Sequence, residues 1–600
     1  MLIGGTHYDF TVIMKVHILF IFIHLFPGRF KFSITAERFS LALFLLVNGV
    51  LIVLNLIDTE YFDFTHKRST IDLFSLAMVG NDIKHLIPMF LGDYWYLGCV
   101  WLGLMLIITA LYPSEKRIFV PVFTHKNDRV FDSLLTVTIL LLVFAGARGK
   151  IGEKLKVQDA VQYVSKVENI PAVLNTPFSM MESINKQALP QIEYDKLLAF
   201  NEPHSTPYHS NQLYRQSMKN VVVIILESFS AEYSKYLSGF KKGYTPFLDS
   251  LMQEGLHFTN AFANGKKSIE AVPSVFCGVP ALMTNPVITS DYAGNHFASL
   301  PGILRKFGYT TAFYHGAANG SMGFENFCLH IGFDKYKGMN EYPDKSDFDG
   351  HWGISDEPFL QFFARDLDTL QQPFMSGVFT LSSHHPYKIP EKYIDTFPEG
   401  PIPMLRTIAY ADYALRRFFQ KAQKYDWYDN TLFVITADHT GKPYTEAFSN
   451  SLQNYRVPLL FYTPGITNLK GCDNRITQQI DILPSVLDFL GIEERLYPLG
   501  NSVFGGGESF AINYLNGIYQ FVNKEYIIQY DGEKPVGLYN WTGDNSLNNN
   551  LVGDLPEKAG LLTDNTVHHI ADYIYRMSAD DWFIKTDNTS TEFYTFNENY

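Results

Sequence analysis

Two apolar runs in this chain each end on residues that can bind a metal ion. Residues 220–228 read Asn-Val-Val-Val-Ile-Ile-Leu-Glu-Ser, and residues 431–439 read Thr-Leu-Phe-Val-Ile-Thr-Ala-Asp-His. Each run is short, β-branched and nearly free of charge until its last positions, which is typical of a strand buried on both faces of a parallel sheet. The two runs therefore predict an α/β domain with a mostly parallel central sheet.

The ends of these two runs are expected to meet in space. In open α/β sheets, ligands and catalytic groups gather beyond the carboxyl ends of the strands. Glu227, Asp438 and His439 are far apart in sequence, but this rule places them on one rim of the sheet. Two carboxylates and one imidazole form an oxygen-rich set suited to Zn²⁺, Mn²⁺ or Mg²⁺.

The chain is too long for a single core and is divided by polarity. Its 600 residues predict at least two domains. The first 150 residues are strongly apolar, whereas the rest has the composition of an ordinary soluble protein. The net charge is −13 and no basic stripe occurs in the soluble part, so nucleic acid is an unlikely partner.

Four apolar segments in the first 150 residues predict a membrane domain of about four spans. Each is roughly 16–19 residues long, at the short end of what crosses a bilayer. They lie near residues 12–27, 39–57, 95–112 and 132–147. The first is the most polar, since it contains Lys15, His17 and His24. The alternative is that the four segments are core helices of a soluble protein.

Charge in the connecting loops predicts the orientation of the spans. Loops 28–38 and 113–131 are basic and loop 58–94 is acidic. By the positive-inside rule the basic loops are cytoplasmic, so the domain after residue 148 lies outside the cell (plasma or inner) membrane. Basic residues directly after the last span disagree, but a long downstream domain can translocate despite them. The same topology places Met1 outside, and a span missing from the front is one explanation.

The remaining chain divides into three predicted parts. Residues 151–215 are expected to form a helical connector, 216–525 an α/β catalytic domain, and 526–600 a small C-terminal subdomain with few helices. The strand candidates of the α/β domain are 221–226, 310–314, 374–381, 432–437 and 457–462. The four cysteines have no metal-binding or redox spacing, so buried free thiols with at most one disulfide are expected.

A third segment supplies a candidate nucleophile. In residues 262–275 a turn signal, Asn264-Gly265, precedes two lysines, Ser268 and an apolar helix. Ser268 could be the helix N-cap, without a capping box because Glu270 lies only two positions on. Alternatively it is a nucleophile whose phosphoryl product sits at the positive end of the helix dipole. A metal bound to its oxygen would lower the pKa of the hydroxyl.

An anionic substrate at this serine also needs a neutralising charge. Lys266 or Lys267 could supply it, and Lys267, directly before the serine, is taken as the substrate-binding candidate.

Together these motifs resemble the alkaline phosphatase/sulfatase superfamily. Glu227 follows an apolar strand, and Ser268 precedes a helix that contains Pro273. The other matching motifs are Ser383-His384-His385-Pro386, Ala437-Asp438-His439, Tyr455-Arg456-Val457-Pro458, Asp481-Ile482-Leu483-Pro484-Ser485 and Leu538-Tyr539-Asn540. With several spans ahead of the domain, the chain looks most like the lipoteichoic acid synthase-like group. The motifs cover residues 219–545.

The resemblance implies a two-step transfer on the outer face of the membrane. Ser268 attacks a phosphodiester of a phospholipid head group, keeps the phosphoryl part and releases the lipid alcohol, and a hydroxyl of a glycan, lipid or polymer then takes the group. His384 contacts substrate and protonates an oxygen, and its neighbour His385 could do the same. The ligands implied for one Mn²⁺, Zn²⁺ or Mg²⁺ ion are Glu227, Ser268, Asp438 and His439.

Two departures bear on the group that is transferred. Members of the group that polymerise glycerol phosphate commonly have a threonine nucleophile and a Trp/Arg pair on the loop that here spans 315–324. This chain has Ser268 and neither a Trp nor an Arg in that loop, where Asn319 is the candidate for substrate contact. The sulfatase hallmark, x-Pro-x-Arg after the nucleophile, is also absent. The transferred group is therefore left open between phosphoglycerol and phosphoethanolamine.

Two other classes of function compete with transfer. One is a hydrolase on the same site, which would be a phosphodiesterase, a phosphatase or a sulfuric ester hydrolase. The other is a non-catalytic, metal-stabilised sensor or scaffold, against which the retention of all four ligand-type residues argues. The membrane block favours the transferase, because a lipid donor must be reached in the plane of the bilayer.

Overall fold

The computed structural model describes residues 1–25, 34–65, 67–71, 73–74, 88, 91–112, 126–150, 153–184, 189, 219–464, 466 and 469–583. Its α-helices are α1 Leu2–Val16, α2 Ile18–Leu25, α3 Ile34–Thr65, α4 Trp95–Leu111, α5 Lys126–Arg148, α6 Thr176–Ser183, α7 Lys235–Ser238, α8 Pro246–Met252, α9 Ser268–Cys277, α10 Leu300–Lys306, α11 Phe324–His330, α12 Asp356–Leu367, α13 Met404–Ala422, α14 Ile482–Leu490 and α15 Pro556–Ala579. Its strands are β1 Asn220–Leu226, β2 Leu256–Phe262, β3 Thr310–His315, β4 Lys335–Lys337, β5 Phe374–Phe379, β6 Thr431–Ala437, β7 Leu459–Tyr462, β8 Gly471–Gln478, β9 Ala511–Leu515, β10 Ile518–Val522, β11 Tyr526–Tyr530 and β12 Pro535–Asn540.

The central sheet has eight strands in the order β4-β3-β5-β1-β6-β7-β2-β8. Only β7 runs antiparallel to its neighbours, so the predicted mostly parallel sheet is confirmed. All five strand candidates are strands. The three strands that were not predicted, β2, β4 and β8, lie toward the two edges, and the polar composition of β8 hides its pairing with β2.

Strand β1 shows why the sheet is buried on both faces. Its alternate side chains enter two separate hydrophobic cores. Val221, Val223 and Ile225 face one core, and Val222, Ile224 and Leu226 face the other. Helices α9 and α14 cover the first face, and α8, α12 and α13 cover the second. Each such residue gains about 1.5–3 kcal/mol from burial.

The register of β1 against β6 determines where the candidate ligands lie. Leu226 is paired with Ala437, so Glu227 and Asp438 follow at equivalent positions as the two strands leave the sheet. On the other side of β1, Ile225 is paired with Phe379 of β5. The ends of β1, β5 and β6 therefore form one continuous rim.

A second sheet of four antiparallel strands, β12-β11-β10-β9, follows the α/β domain. Helix α15 contacts β10, β11 and β12. The predicted boundary at residues 525/526 falls between β10 and β11, because the sheet begins at Ala511. Beyond this boundary the described residues contain one α-helix, α15, so helices are few there as expected, although this one is 24 residues long. Its apolar residues are spaced for one face that packs onto the sheet, a helical period that the strand-rich region before it obscured.

The described residues of the four predicted membrane segments are almost all helical. Within the described residues one helix, Ile34–Phe62, is long and apolar enough to cross a membrane. Helices α1 and α2 would make a second span only as one unit, and they meet at a 58° bend. Helix α4 and the stretch Ser133–Arg148 are apolar but shorter. The four-span organisation and its orientation stay predictions, and loop residues 26–33 and 113–125 lie outside the described residues.

Within residues 153–184, the described part of the predicted helical connector, the helical pieces are short. Two 3₁₀ turns, Gln158–Tyr163 and Val167–Ala172, precede α6. The buried rings of Tyr8 and Phe178 join α1 to α6 in a third hydrophobic core. Residues 185–188 and 190–215 of the predicted connector lie outside the described residues. All four cysteines are free, as predicted, but only Cys277 and Cys328 are buried, so the expected burial is wrong for Cys99 and Cys472.

Candidate active site

Three distant segments meet around the Ser268 hydroxyl. Its Oγ donates to Glu227 Oε2 at 3.1 Å and lies 3.2 Å from His439 Nε2. Glu227 is the residue after β1, Ser268 is the first residue of α9, and His439 is the second residue after β6. Since all three are buried, these contacts form in a low-dielectric setting where they are strong. With Asp438 these residues are called the ligand cluster below.

Asp438 carries the clearest sign that the ligand cluster fits a cation. Its Oδ1 accepts the N–H groups of Ser228 at 2.7 Å and His439 at 2.6 Å. Its Oδ2 is buried, makes no hydrogen bond in the described part of the chain, and lies 3.2 Å from His439 Nε2. Ligand atoms of Glu227, Asp438 and His439 lie within 4.8 Å of one another. A buried, unpaired carboxylate oxygen is costly, and a divalent cation would satisfy it.

The Glu227 carboxyl is disfavoured as an anion in its present surroundings. Burial, followed by the charge of Asp438, raises its pKa well above the ordinary range, although hydrogen bonds from Ser228 and Ser268 oppose the shift. Its backbone N–H donates to Thr380 Oγ1 at 2.8 Å, which ties it to the end of β5. Two carboxylates held this close are typical of a site that binds positive charge.

The structure corrects the expected helix cap at Ser268. Lys267 is the N-cap residue of α9, and Ser268 is the first helical residue. The carboxylate of Glu270 accepts the N–H groups of Lys266 at 2.8 Å and Lys267 at 3.1 Å. Because the side chain of Glu270 caps the N–H groups at the start of α9, the Ser268 hydroxyl is not needed as a cap. It points to the other residues of the ligand cluster. The expectation that no capping box forms is wrong, because Lys267 is the N-cap and Glu270 is the third residue of the helix.

The side chain of Lys266 contacts the segments after β6. Its Nζ donates to Thr440 Oγ1 at 2.7 Å and to Asn454 O at 3.0 Å. Burial lowers the pKa of Lys266 to about 7. Lys267 is buried directly before Ser268, and its role in substrate binding stays a prediction.

His384 lies beside the ligand cluster on residues 381–387, called the histidine loop below. Its Nδ1 is 3.0 Å from the carbonyl oxygen of His385, and its ring lies edge-on to Trp352 at 4.3 Å. Burial lowers the pKa of His384, and the charge of His439 adds to this effect while Asp438 opposes it. The imidazole is therefore neutral at pH 7, so it accepts a proton before it donates one.

His385 faces the N-terminal helices. Its ring stacks on Tyr94 with centroids 5.7 Å apart, and the Tyr94 hydroxyl lies 3.1 Å from His385 Nδ1. Burial lowers the pKa of His385 to about 4. Tyr94 directly precedes α4, so a predicted membrane segment contacts the histidine loop.

Sequence reasoning missed three residues that hold the histidine loop. Tyr94 and Trp352 contact its two histidines, and Asp356 accepts the N–H groups of Leu381 at 2.7 Å and Ser382 at 3.1 Å. Acidic residues at a helix start and aromatic residues near Gly are common, so neither signal singles these residues out.

Asn319 makes contacts within its own region. Its amide donates to Glu341 at 3.1 Å and its Oδ1 accepts the N–H of Asn340 at 3.1 Å. These bonds join the loop after β3 to the segment after β4. Its role in substrate contact stays a prediction.

Comparison with known proteins identifies relatives of the central domain. Residues 219–492 match the family model described as Sulfatase. Lipoteichoic acid synthase 1 of Bacillus subtilis is 30% identical over 337 residues, which are 51% of each chain. Lipoteichoic acid synthase of Staphylococcus aureus (strain bovine RF122 / ET3-1) is 27% identical over 358 residues, 55% of this chain and 54% of that protein. The chain thus spans about half the length of the curated relatives it matches.

Solved structures share the fold. A protein in the alkaline phosphatase superfamily from Vibrio parahaemolyticus superposes with a TM-score of 0.58 and 24% identity, over 66% of this chain and 99% of its own. The lipoteichoic acid synthase LtaP from Listeria monocytogenes gives 0.51 and 22%, over 62% of this chain and 94% of its own. The resemblance predicted from the motifs is confirmed.

Proposed function

We propose that this chain is a membrane-anchored transferase that moves a phospholipid head group to an extracytoplasmic acceptor. This proposal is supported by the match of residues 219–492 to the alkaline phosphatase/sulfatase superfamily. The transferred group is phosphoglycerol or phosphoethanolamine, and the acceptor is a hydroxyl of a glycan, lipid or polymer. One observation carries the proposal, which is the convergence of Glu227, Ser268 and His439 within hydrogen-bonding distance. The lipoteichoic acid synthase relatives support phosphoglycerol.

One divalent ion, Mn²⁺, Zn²⁺ or Mg²⁺, would be held by Glu227, Ser268, Asp438 and His439 and would lower the pKa of the serine hydroxyl. In the first step the Ser268 Oγ forms a bond to phosphorus as the bond to the lipid alcohol breaks. The neutral His384 takes the serine proton and returns it to the departing alcohol. In the second step His384 removes a proton from the acceptor hydroxyl, whose oxygen forms the new bond to phosphorus as the Ser268 bond breaks. His384 then returns this proton to the Ser268 oxygen, which restores both residues.

The N-terminal helices support a lipid donor. Helix Ile34–Phe62 is long enough to span a bilayer, and α4 leaves large apolar side chains such as Leu106 and Leu111 mostly exposed. Tyr94, at the start of α4, contacts the histidine loop. The transferase therefore has its rim close to the predicted membrane surface on the outer side of a plasma or inner membrane, where head groups are available.

The test uses membranes that contain the full chain and phosphatidylglycerol or phosphatidylethanolamine labelled in the head group. Label is expected in a glycan, lipid or polymer product. Free labelled head group alone would support the alternative, a phosphodiesterase, phosphatase or sulfuric ester hydrolase on the same site. Ser268→Ala is expected to lower turnover by roughly 10³-fold or more, because it removes the nucleophile.

Ser274→Ala is the matched control for Ser268→Ala. Ser274 lies in the same helix, and its hydroxyl donates only to backbone carbonyls, Glu270 O at 2.9 Å and Val279 O at 3.0 Å. Its loss should leave turnover near wild type. Equal turnover in the Ser268→Ala variant and the wild type would remove Ser268 from the reaction and contradict the proposal.

A further inference from the structure

Trp352 packs against His384, although it belongs to none of the motifs that marked the site in the sequence. It lies on residues 349–353, called the tryptophan turn below, between β4 and α12. Its ring stands edge-on to the His384 ring with the centroids 4.3 Å apart. Its indole Nε1–H donates to the carbonyl oxygen of His385. Trp352 thus touches the proton carrier of the proposed reaction without being a proton carrier itself.

One backbone carbonyl joins Trp352 to the proton chemistry of His384. The carbonyl oxygen of His385 lies 3.0 Å from His384 Nδ1 and also accepts the Trp352 Nε1–H. Because a carbonyl oxygen can only accept, Nδ1 must carry the hydrogen of the neutral imidazole. The lone pair of the ring is then on Nε2. Nε2 is therefore the nitrogen that takes the serine proton and returns it to the departing alcohol.

His439 in the ligand cluster is held by a similar arrangement. Its Nδ1 lies 3.0 Å from the carbonyl oxygen of Thr440, and its Nε2 lies 3.2 Å from Ser268 Oγ. The Thr440 carbonyl also accepts a second bond, from Lys266 Nζ at 3.3 Å. At both histidines the carbonyl of the next residue binds Nδ1, and a side chain from a distant segment binds that carbonyl. Trp352 is the counterpart of Lys266 at the histidine loop.

Backbone hydrogen bonds hold the tryptophan turn in one conformation. Asp349 Oδ1 accepts three consecutive N–H groups, from His351 at 2.7 Å, Trp352 at 2.8 Å and Gly353 at 3.1 Å. The Ile354 N–H donates to Gly316 O at 2.9 Å, which joins the end of the turn to the loop after β3. A Cβ atom at Gly353 would collide with the Gly316 carbonyl, so this close approach requires glycine. The turn therefore presents the indole from a fixed backbone.

We propose that Trp352 is a positioning residue for proton transfer, which aligns His384 through the carbonyl of His385. Its N–H holds the carbonyl to which His384 Nδ1 is bonded, and its ring limits rotation of the imidazole. Both contacts keep Nε2 directed to the proton path between the Ser268 oxygen and the departing lipid alcohol. This role rests on the proposed function, but only on the first step at Ser268, which transfer and hydrolysis share.

A residue that aligns a proton donor affects different leaving groups to different extents. The alkoxide of diacylglycerol is a poor leaving group and needs the proton that His384 returns, whereas 4-nitrophenolate leaves without one. A misaligned His384 should therefore slow the cleavage of a lipid donor much more than the cleavage of a 4-nitrophenyl ester. A general loss of structure, of bound metal or of head-group binding would slow both reactions alike.

The test compares two donors with the same head group, phosphatidylglycerol and 4-nitrophenyl phosphoglycerol, or the matching ethanolamine pair if the wild type uses phosphatidylethanolamine. The full chain in lipid nanodiscs is kept in excess over labelled donor, so the first turnover reports release of diacylglycerol or 4-nitrophenol. Trp352→Phe keeps a ring but removes the N–H, and Trp352→Leu removes both. The lipid reaction should slow by about 10-fold and about 100-fold, respectively. The 4-nitrophenyl reaction should slow by only about 3-fold and about 10-fold, because there His384 has only to take the serine proton.

Trp541→Phe is the matched control, because the Trp541 Nε1–H also donates to a backbone carbonyl, Asn523 O at 2.9 Å, but beside the second sheet. It should leave both rates near wild type. Equal slowing of the two donors by the Trp352 variants, or no slowing, would overturn the positioning role. The two proposals fail separately. If the wild type passes the head group to water alone, the transferase is wrong, yet the comparison of leaving groups still tests Trp352.

Discussion

The ligand cluster and the histidine loop lie on the same rim but are held in different ways. Glu227 and Asp438 directly follow two paired strands, and Asp438 Oδ1 accepts backbone N–H groups of Ser228 and His439. The histidine loop also follows a strand, β5, yet its histidines are contacted by Trp352 and Tyr94 from distant segments. The sheet positions the ligand cluster, whereas side chains from distant segments position the histidine loop by packing against it.

This difference separates chemistry from access. The ligand cluster is rigid because strand register fixes it, which suits groups that must keep one geometry through the reaction. The histidine loop connects the reacting centre to the N-terminal helices through His385 and Tyr94. Changes in the cluster should therefore affect metal binding and turnover, and changes around the loop should affect proton transfer and the use of a lipid donor.

The largest effect is expected from the cluster. Asp438→Asn removes one carboxylate charge and the unpartnered Oδ2, so bound divalent metal should be lost and turnover should fall by about 10³-fold or more. Metal content is measured by mass spectrometry after dialysis, and turnover by release of labelled head group. Asp429→Asn, at the exposed start of the segment leading into β6, is the control. Full metal content in Asp438→Asn would contradict the ligand assignment.

A smaller effect on turnover is expected when His384 and His385 are replaced one at a time. His384→Asn removes the proton carrier next to Asp438 and should lower kcat by about 10²–10⁴-fold, the usual contribution of general acid–base catalysis. His385→Asn should lower it by less, about 10-fold, because His385 contacts Tyr94 and not the cluster. Bound metal should be unchanged in both. If His385→Asn is the more damaging variant, the proposed roles of the two histidines are reversed.

The parts of the site that depend on strands could be predicted from the sequence. The apolar runs before Glu227 and Asp438 belong to strands that are buried on both faces. The carboxyl ends of such strands meet at one edge of a parallel sheet, so this part of the site can be predicted before the strand order is known. Ser268 required the turn before its helix and the motif resemblance. The edge strands β4 and β8 were not predicted, because a short or polar edge strand has no apolar run to mark it. Strand β2, which lies next to β8, was not predicted either.

The contacts around the histidine loop could not be predicted from the sequence. Tyr94 meets His385 only through the packing of the N-terminal helices on the catalytic domain, and Trp352 meets His384 through an irregular segment. Neither pairing has a period or spacing. Asp356 is similar, because its side chain leaves its own helix to accept N–H groups from residues 381 and 382. Such contacts are set by tertiary structure alone.

Asp356 gives a test of how the histidine loop is held. Burial raises the pKa of Asp356 from 3.8 to about 6, against the hydrogen bonds from Leu381 and Ser382. The folded state then binds more protons than the unfolded state between about pH 4 and 6, so the stability of the wild type should fall as pH rises through this window. The expected loss is about 3 kcal/mol, from 1.36 kcal/mol per unit of pKa.

The measurement is the stability of wild type minus that of Asp356→Asn, from unfolding of detergent-solubilised protein at pH 4 and pH 7. Asn keeps an acceptor oxygen but does not titrate, so the difference isolates the Asp356 carboxyl. Asp344 is the sign control, because hydrogen bonds from Ser346 lower its pKa; there the wild-type advantage should rise with pH. A pH-independent difference for Asp356→Asn would show that the hydrogen bonds cancel the effect of burial, and a wild-type advantage that rises with pH would show that they outweigh it.

The smallest effect is expected where the N-terminal helices contact the loop. Tyr94→Phe keeps the stacked ring and removes the hydroxyl contact at 3.1 Å, a loss of about 1 kcal/mol. Tyr94→Ala also removes the stack, about 0.5–1.5 kcal/mol more. Because Tyr94 packs between the start of α4, a predicted membrane segment, and the histidine loop, it is expected to position the loop toward the bilayer. KM for the lipid donor should therefore rise about 5-fold and then by more than 10-fold, with kcat nearly unchanged. The control is Tyr96→Phe, two residues after Tyr94, which loses a hydrogen bond from its hydroxyl to Glu60. Since a purely structural contact would lower kcat and stability together, a change in kcat without a change in KM would place Tyr94 outside donor binding.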